Sequence, residues 1–188
     1  MPSDLPPLPV HVDPLPYEAR LEARPLSQVD LVVIHCTELP DLAMARTGER
    51  GLPLILGGDH ALAMGSVSGM ARHAADENRP LFVLWLDAHA DFNTSEVTPS
   101  GNVHGMPVAC LCGYGPKELI EIGGQVPAMN PKWIRQIGIR SVDEGERRLI
   151  RQYGIDVYDM RYIDEAGMKR TMEAALQGMS ADTHLHVS

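Results

Sequence analysis

An α/β fold built on a parallel sheet is the class this sequence predicts, and three observations predict it. Short apolar runs alternate with helical patterns from residue 52 onward. The run Leu81–Leu86, LFVLWL, is apolar throughout; it is too short to span a membrane and lacks alternation, so it reads as a strand buried on both faces. Two of the runs stop abruptly at polar, metal-ligand chemistry, GGDH and DAHAD. Strands that alternate with helices imply right-handed crossovers and helices on both faces of the sheet.

In chain order, residues 1–28 are rich in proline and lack periodicity, which predicts an extended segment ahead of a domain over 29–188. Residues 29–34 are apolar apart from Asp30 and could form a strand, while 31–49 contains helix formers interrupted by Pro40. From there the pattern is regular. Strands are predicted over 52–56, Leu81–Leu86, 133–139, 155–158 and His184–Val187. Helices are predicted over 61–77, 106–111, 116–122, Glu144–Tyr153 and 163–176, with Pro116 suited to a first turn. Met64, Met70, Met168 and Met172 fall at helical positions and read as core filling.

Length and charge bound the function. A chain of 188 residues suits about one domain. Sixteen basic against 25 acidic residues give a net charge of -9, which argues against nucleic acid or an anionic membrane as partner and favours a cationic substrate or a metal. Cys36, Cys110 and Cys112 are an odd number without a secretory signal, which predicts reduced thiols and a cytoplasmic protein. Cys110 and Cys112 read as small apolar fillers rather than metal ligands.

The candidate site follows from the ends of two strands. If the chain stays extended past Leu86, Asp87, His89 and Asp91 project to one side, and two converging carboxylates repel unless a cation lies between them. His60 ends an earlier strand, and the mouths of parallel strands lie on one edge of the sheet, so it can join them. His104 sits in the loop SGNVHGMP, with Ser100 and Asn102 as neutral polar groups.

Four strings, LGGDH at 56–60, DAHAD at 87–91 followed by FN, SGNVHGMP at 100–107 and RSVDEGE at 140–146, resemble the arginases of the ureohydrolase family in order and spacing. The resemblance implies a three-layer α/β/α fold, two manganese ions, and hydrolysis of L-arginine to L-ornithine and urea by a metal-activated hydroxide. It also implies a role in arginine metabolism and a homo-oligomer, trimer or hexamer. By resemblance, Asp87 bridges the ions, His60 and Asp91 complete one side, and His89 belongs to the other. His104 is the proton shuttle, a role for which imidazole is chemically suited, and counts with Asp91 as catalytic. Asn93, Ser100 and Asn102 match positions that hold the α-carboxylate of arginine, and Asp143 and Glu146 match those near its α-amino group. The two acids also suit the first turn of a helix.

The loop favours an arginase over an agmatinase-like ureohydrolase, which has no α-carboxylate to bind. Three departures accompany the resemblance: Ala61 stands where serine is common, the N-terminus lacks the family's first strand and glycine-rich segment, and the sequence stops where the family continues into SFDxDxxDP. That motif supplies two further metal-ligand aspartates, and a later glutamate recognises the guanidinium group. A truncated, non-catalytic relative is therefore the alternative, and the 188-residue chain alone is expected to hydrolyse weakly or not at all.

Overall fold

The computed structural model describes residues 32–33 and 55–188. Expectations for 1–31 and 34–54, among them the proline-rich segment and the start of the strand predicted over 52–56, lie outside the described residues. Two short strands, β1 (Val32–Val33) and β2 (Ile55–Leu56), pair in parallel. The main sheet has four parallel strands, β3 (Leu81–Leu86), β4 (Ile134–Ile139), β5 (Asp156–Asp159) and β6 (His184–Val187), in the order β5-β4-β3-β6.

β3 is hydrogen-bonded on both edges and covered on both faces, which is why its sequence does not alternate. Its side chains still point to opposite sides in turn. Val83 and Trp85 enter a core shared with α1 (Ala63–Asp76), α2 (Pro107–Leu111) and, after the one-turn α3 (Lys117–Ile120), α4 (Glu144–Tyr153). Phe82 and Leu84 pack on the other side with Ile137, against α5 (Met160–Ala166) and α6 (Met168–Ala175). Helices thus cover both faces in three layers. α1 lies close to its neighbours because Gly65, Ser66, Ser68 and Gly69, all buried, hold it at small-residue distance. Among the described residues no helix is long and apolar enough to cross a membrane.

Several boundaries differ from expectation, each for a local reason. The helix expected over 61–77 starts as a 3-10 turn, His60–Leu62, because the Asp59 carboxylate accepts the Ala61 N–H at 3.0 Å and caps it there. Trp133 belongs to a 3-10 turn, Pro131–Trp133, capped by Asn130, and not to β4. The helix expected over 163–176 is two helices: Gly167, at φ +80°, takes a conformation that no helix interior accepts. Met168 then opens α6 at the surface, 53% exposed, and is not core filling, whereas Met64 and Met70 are buried as expected.

β4 carries the irregularity that matters for the site. Its pairing with β5 slips between Ile137 and Ile139, and the residue between them, Gly138, has φ +89°. A Cβ there would stand 3.2 Å from the Asp87 carbonyl oxygen. Gly138→Ala is therefore expected to lower stability by roughly 1–3 kcal/mol, read as an earlier midpoint in urea denaturation; an unchanged midpoint would show that the bulge relaxes freely.

Candidate metal centre

Three strand ends meet around one cavity of about 630 Å³. His60 follows β2, Asp87, His89 and Asp91 follow β3, and Ser188 follows β6; all line the cavity, and His104 and His186 join them. The His60 ring lies flat on the indole of Trp85, with centroids 3.9 Å apart and planes 16° apart. Trp85 is fully buried, so the imidazole rests on a fixed surface. His60 Nδ1 is 2.8 Å from Asp87 Oδ2, and Nε2 is 2.9 Å from Ser188 Oγ. An ionised carboxylate only accepts, so Nδ1 donates to Asp87 and the serine hydroxyl donates to Nε2.

The extended ribbon expected from Asp87 to Asp91 is not what forms. Past Leu86 the ladder thins: Asp87 Oδ1 accepts the N–H groups of Ala88 and His89, while the Asp87 N–H still bonds the Ile137 carbonyl and His89 bridges Ser141. The Ala88 carbonyl accepts the N–H groups of Arg140 and Ser141, and Asp91 adopts φ +50°, a left-handed conformation that Asp tolerates better than most. Asp87 and Asp91 consequently converge with His60, their ligand atoms all within 4.8 Å of one another. His89 lines the same cavity from its open side. Its side chain is 60% exposed and its Nδ1 stands 3.6 Å from Asp87 Oδ1, at the margin of the trio.

The loop is held from beneath. Gln136, wholly buried in β4, donates to the Ala90 carbonyl, Glu146 accepts the Phe92 N–H at 2.8 Å, and the first N–H groups of α2, on Val108 and Ala109, bond the Asp91 carbonyl. Asp91 itself is buried, and its Oδ2, 3.5 Å from His60 Nδ1, makes no hydrogen bond. Burial, then the neighbouring charges of Asp87 and Glu146, push its carboxyl up to about 8. Asp87 differs: burial would raise it, but the bonds from His60 and the His89 N–H outweigh that and hold it below its ordinary value. Two carboxylates and an imidazole, one oxygen of them orphaned and buried, fit a hard divalent cation well, since such an ion would satisfy the orphan and offset the crowded charge.

The remaining expected residues fall in two groups. His104, in the exposed 3-10 turn Val103–Gly105, reaches the cavity. Asn93, Ser100, Asn102, Asp143 and Glu146 do not line it. Asn93 is buried, donates from Nδ2 to Asp143 Oδ2 at 3.0 Å, and leaves its Oδ1 without a partner. Asp143 and Glu146 form a reciprocal capping box at the start of α4, with Glu146 Oε2 accepting the Asp143 N–H at 3.2 Å. Both Glu146 oxygens are thus used inside the protein, and burial raises its carboxyl despite those bonds. Ser100 and Asn102 are exposed, the serine Oγ accepting the Asn102 N–H. Trp85, Gln136 and Ser188 were not anticipated at the site. Gln136 had a readable signal, a lone amide between Ile134 and Ile137 in IRQIGI; the other two had none.

The profile of the arginase family matches residues 21–188. Arginase from Bacillus caldovelox is 44% identical over 148 residues, covering 78% of this chain and 48% of the relative. Arginase from Brucella melitensis is 46% identical over 153 residues, with the same 78% and 48% coverage. The crystal structure of arginase from Bacillus subtilis superposes with a TM-score of 0.72 at 40% identity, covering 80% of this chain and 51% of that one. A proclavaminate amidino hydrolase from Streptomyces clavuligerus, at 23% identity and a TM-score of 0.51, shares the fold alone. The chain spans about half the length of the curated relatives it matches. The fold, the four sequence strings and a family match over residues 21–188 agree, and the chain belongs to the arginase family.

Proposed function

We propose that this chain carries the metal site and proton shuttle of a manganese-dependent hydrolase that converts L-arginine to L-ornithine and urea. One observation carries the reading: His60, Asp87 and Asp91 converge on a cavity, and a buried Asp91 oxygen in it has no partner. These three, with His89 at the margin, would hold manganese. When bound, the metal supplies Lewis acidity that makes water nucleophilic near neutral pH. Asp87 brings charge to the site already ionised, whereas Asp91 must release a proton to bind.

His104, on the cavity wall, would hold a proton and deliver it to the departing amine nitrogen as the guanidinium carbon–nitrogen bond breaks. Trp85 keeps the His60 ring from turning. Asn93 would hold the α-carboxylate and Asp143 and Glu146 would stand near the α-amino group, while the bonds among them also place the loop that carries Asp91 and Phe92. Exposed Ser100 and Asn102 would meet the α-carboxylate directly. The net charge of -9 suits a cationic substrate. The same reading extends to a cytoplasmic homo-oligomer, trimeric or hexameric.

Asp87→Ala is expected to weaken manganese binding by more than roughly tenfold in calorimetric titration; equal binding by both proteins would sink the ligand assignment. A pH trend follows from two groups. Between its ordinary value and about 8, Asp91 is protonated in the folded chain and ionised in the unfolded one, so metal-free stability should fall as pH rises through that range. Burial of His186 lowers it from 6.5 to about 4, which acts in the opposite sense below 6.5. The net fall is therefore concentrated between pH 6.5 and about 8. Melting temperatures across that window should decline, less so in Asp91→Asn and less so with manganese; a decline equally steep in Asp91→Asn would refute the assignment. Joined to the C-terminal half of the Bacillus subtilis relative, the chain should hydrolyse L-arginine far faster than agmatine, and His104→Ala should lower kcat on the order of a hundredfold. Comparable turnover of the two substrates would remove the carboxylate-binding reading.

A further inference from the structure

A second group of ligand-type side chains lies at the opposite end of the sheet. His73 and Glu77 stand one turn apart at the C-terminal end of α1, and His184 opens β6. Their ligand atoms all lie within 4.8 Å of one another. His184 Nε2 is 2.7 Å from Glu77 Oε2 and His73 Nε2 is 3.6 Å from Glu77 Oε1, so both imidazoles present the same nitrogen to one carboxylate. Their rings are tilted by 53° with centroids 5.3 Å apart. Neither ring is placed loosely: His73 is 4% exposed, and the His184 side chain is 17% exposed on a backbone that pairs with Leu81 and donates its main-chain N–H to the Pro80 carbonyl at 2.8 Å. The topology makes this meeting inevitable, because β3 and β6 start side by side and α1 runs back toward their starts. Along β6 the cluster is roughly 13 Å from Ser188 and the cavity.

We propose that His73, Glu77 and His184 bind a divalent transition metal of the zinc type, distinct from the centre at His60, and thereby clamp α1 to β6. Two imidazoles and a carboxylate are a donor set that suits zinc, with the remaining position open to water. The spacing of four residues places His73 and Glu77 on one helix face. The last carbonyls of α1 add a field that favours a cation at this end. Arg79 is the competitor: its Nη1 is 3.2 Å from Glu77 Oε2, and its Nε donates to the Asp182 carbonyl at 2.8 Å. Its contact is with Oε2, while Oε1 faces His73.

The test titrates zinc into the full chain and uses cobalt(II) as its coloured substitute. Zinc binding should persist in Asp87→Ala, where the cavity centre is disabled, and in that background should weaken by more than roughly tenfold on adding Glu77→Gln or His184→Asn, while either change alone leaves manganese binding at the cavity unchanged. His184→Cys should give a sulfur-to-cobalt charge-transfer band that the unsubstituted chain lacks; this variant decides the matter if the other two do not fold. Zinc affinity unchanged in both Glu77→Gln and His184→Asn, or a cobalt spectrum of His184→Cys identical to that of the parent chain, overturns the proposal and leaves the cluster an ion pair.

Discussion

The crowding of carboxylates at the end of β3 is the constraint to which the surrounding structure is fitted. Asp91 is buried beside Asp87 and Glu146, and an uncompensated charge in such a place costs several kcal/mol. The chain does not relieve it by opening. Instead Gln136, Glu146 and the first turn of α2 hold the loop by its backbone, Asp91 accepts a left-handed conformation, and one of its oxygens has no partner. Backbone strain and an orphaned acceptor in one residue are the kind of local cost that persists where a site requires it. A cation relieves the charge and the orphaned oxygen together.

How much of this was legible depends on whether the deciding force is local. The all-apolar β3 has few alternatives, and the capped α4 and the return strand β6 were read with their observed bounds, since each has its own signal within a few residues. The strings around His60, Asp87 and His104 likewise pointed to three of the four segments that line the cavity, the end of β6 being the fourth. Beyond Leu86 the chain departs from a regular strand for a physical reason. Alternation holds only while ladder hydrogen bonds keep the chain extended, and there the Asp87 side chain takes the backbone N–H groups for itself. That leaves His89 at the exposed margin of the cavity and brings Asp91 in. The Asp143 and Glu146 pair shows the reverse case, in which a capping pattern visible in sequence proved to be the dominant local fact, with both Glu146 oxygens spent on backbone groups.

Long-range pairings left no trace in the string. Nothing in the residues near His60 says that it will lie on Trp85, 25 positions on, or face Ser188 at the far end of the chain. Both depend on how distant strands are placed: pairing β6 with β3 brings Ser188 to the edge where β3 ends, and the turn after β2 sets His60 against that same edge. The sheet topology therefore assembles the site, while the local sequence only supplies the parts.

The stacking of His60 on Trp85 has an optical consequence. The chain has two tryptophans in unlike surroundings, Trp85 fully buried and Trp133 39% exposed at the surface. Indole emission depends on the polarity around it, so the two contribute at different wavelengths, and the buried one is in van der Waals contact with the very imidazole that a metal would engage. Any change of charge on that ring alters the quenching of the indole beneath it. The protein thus carries its own fluorescent reporter of what occupies the mouth of the sheet, needing no label and no turnover of substrate.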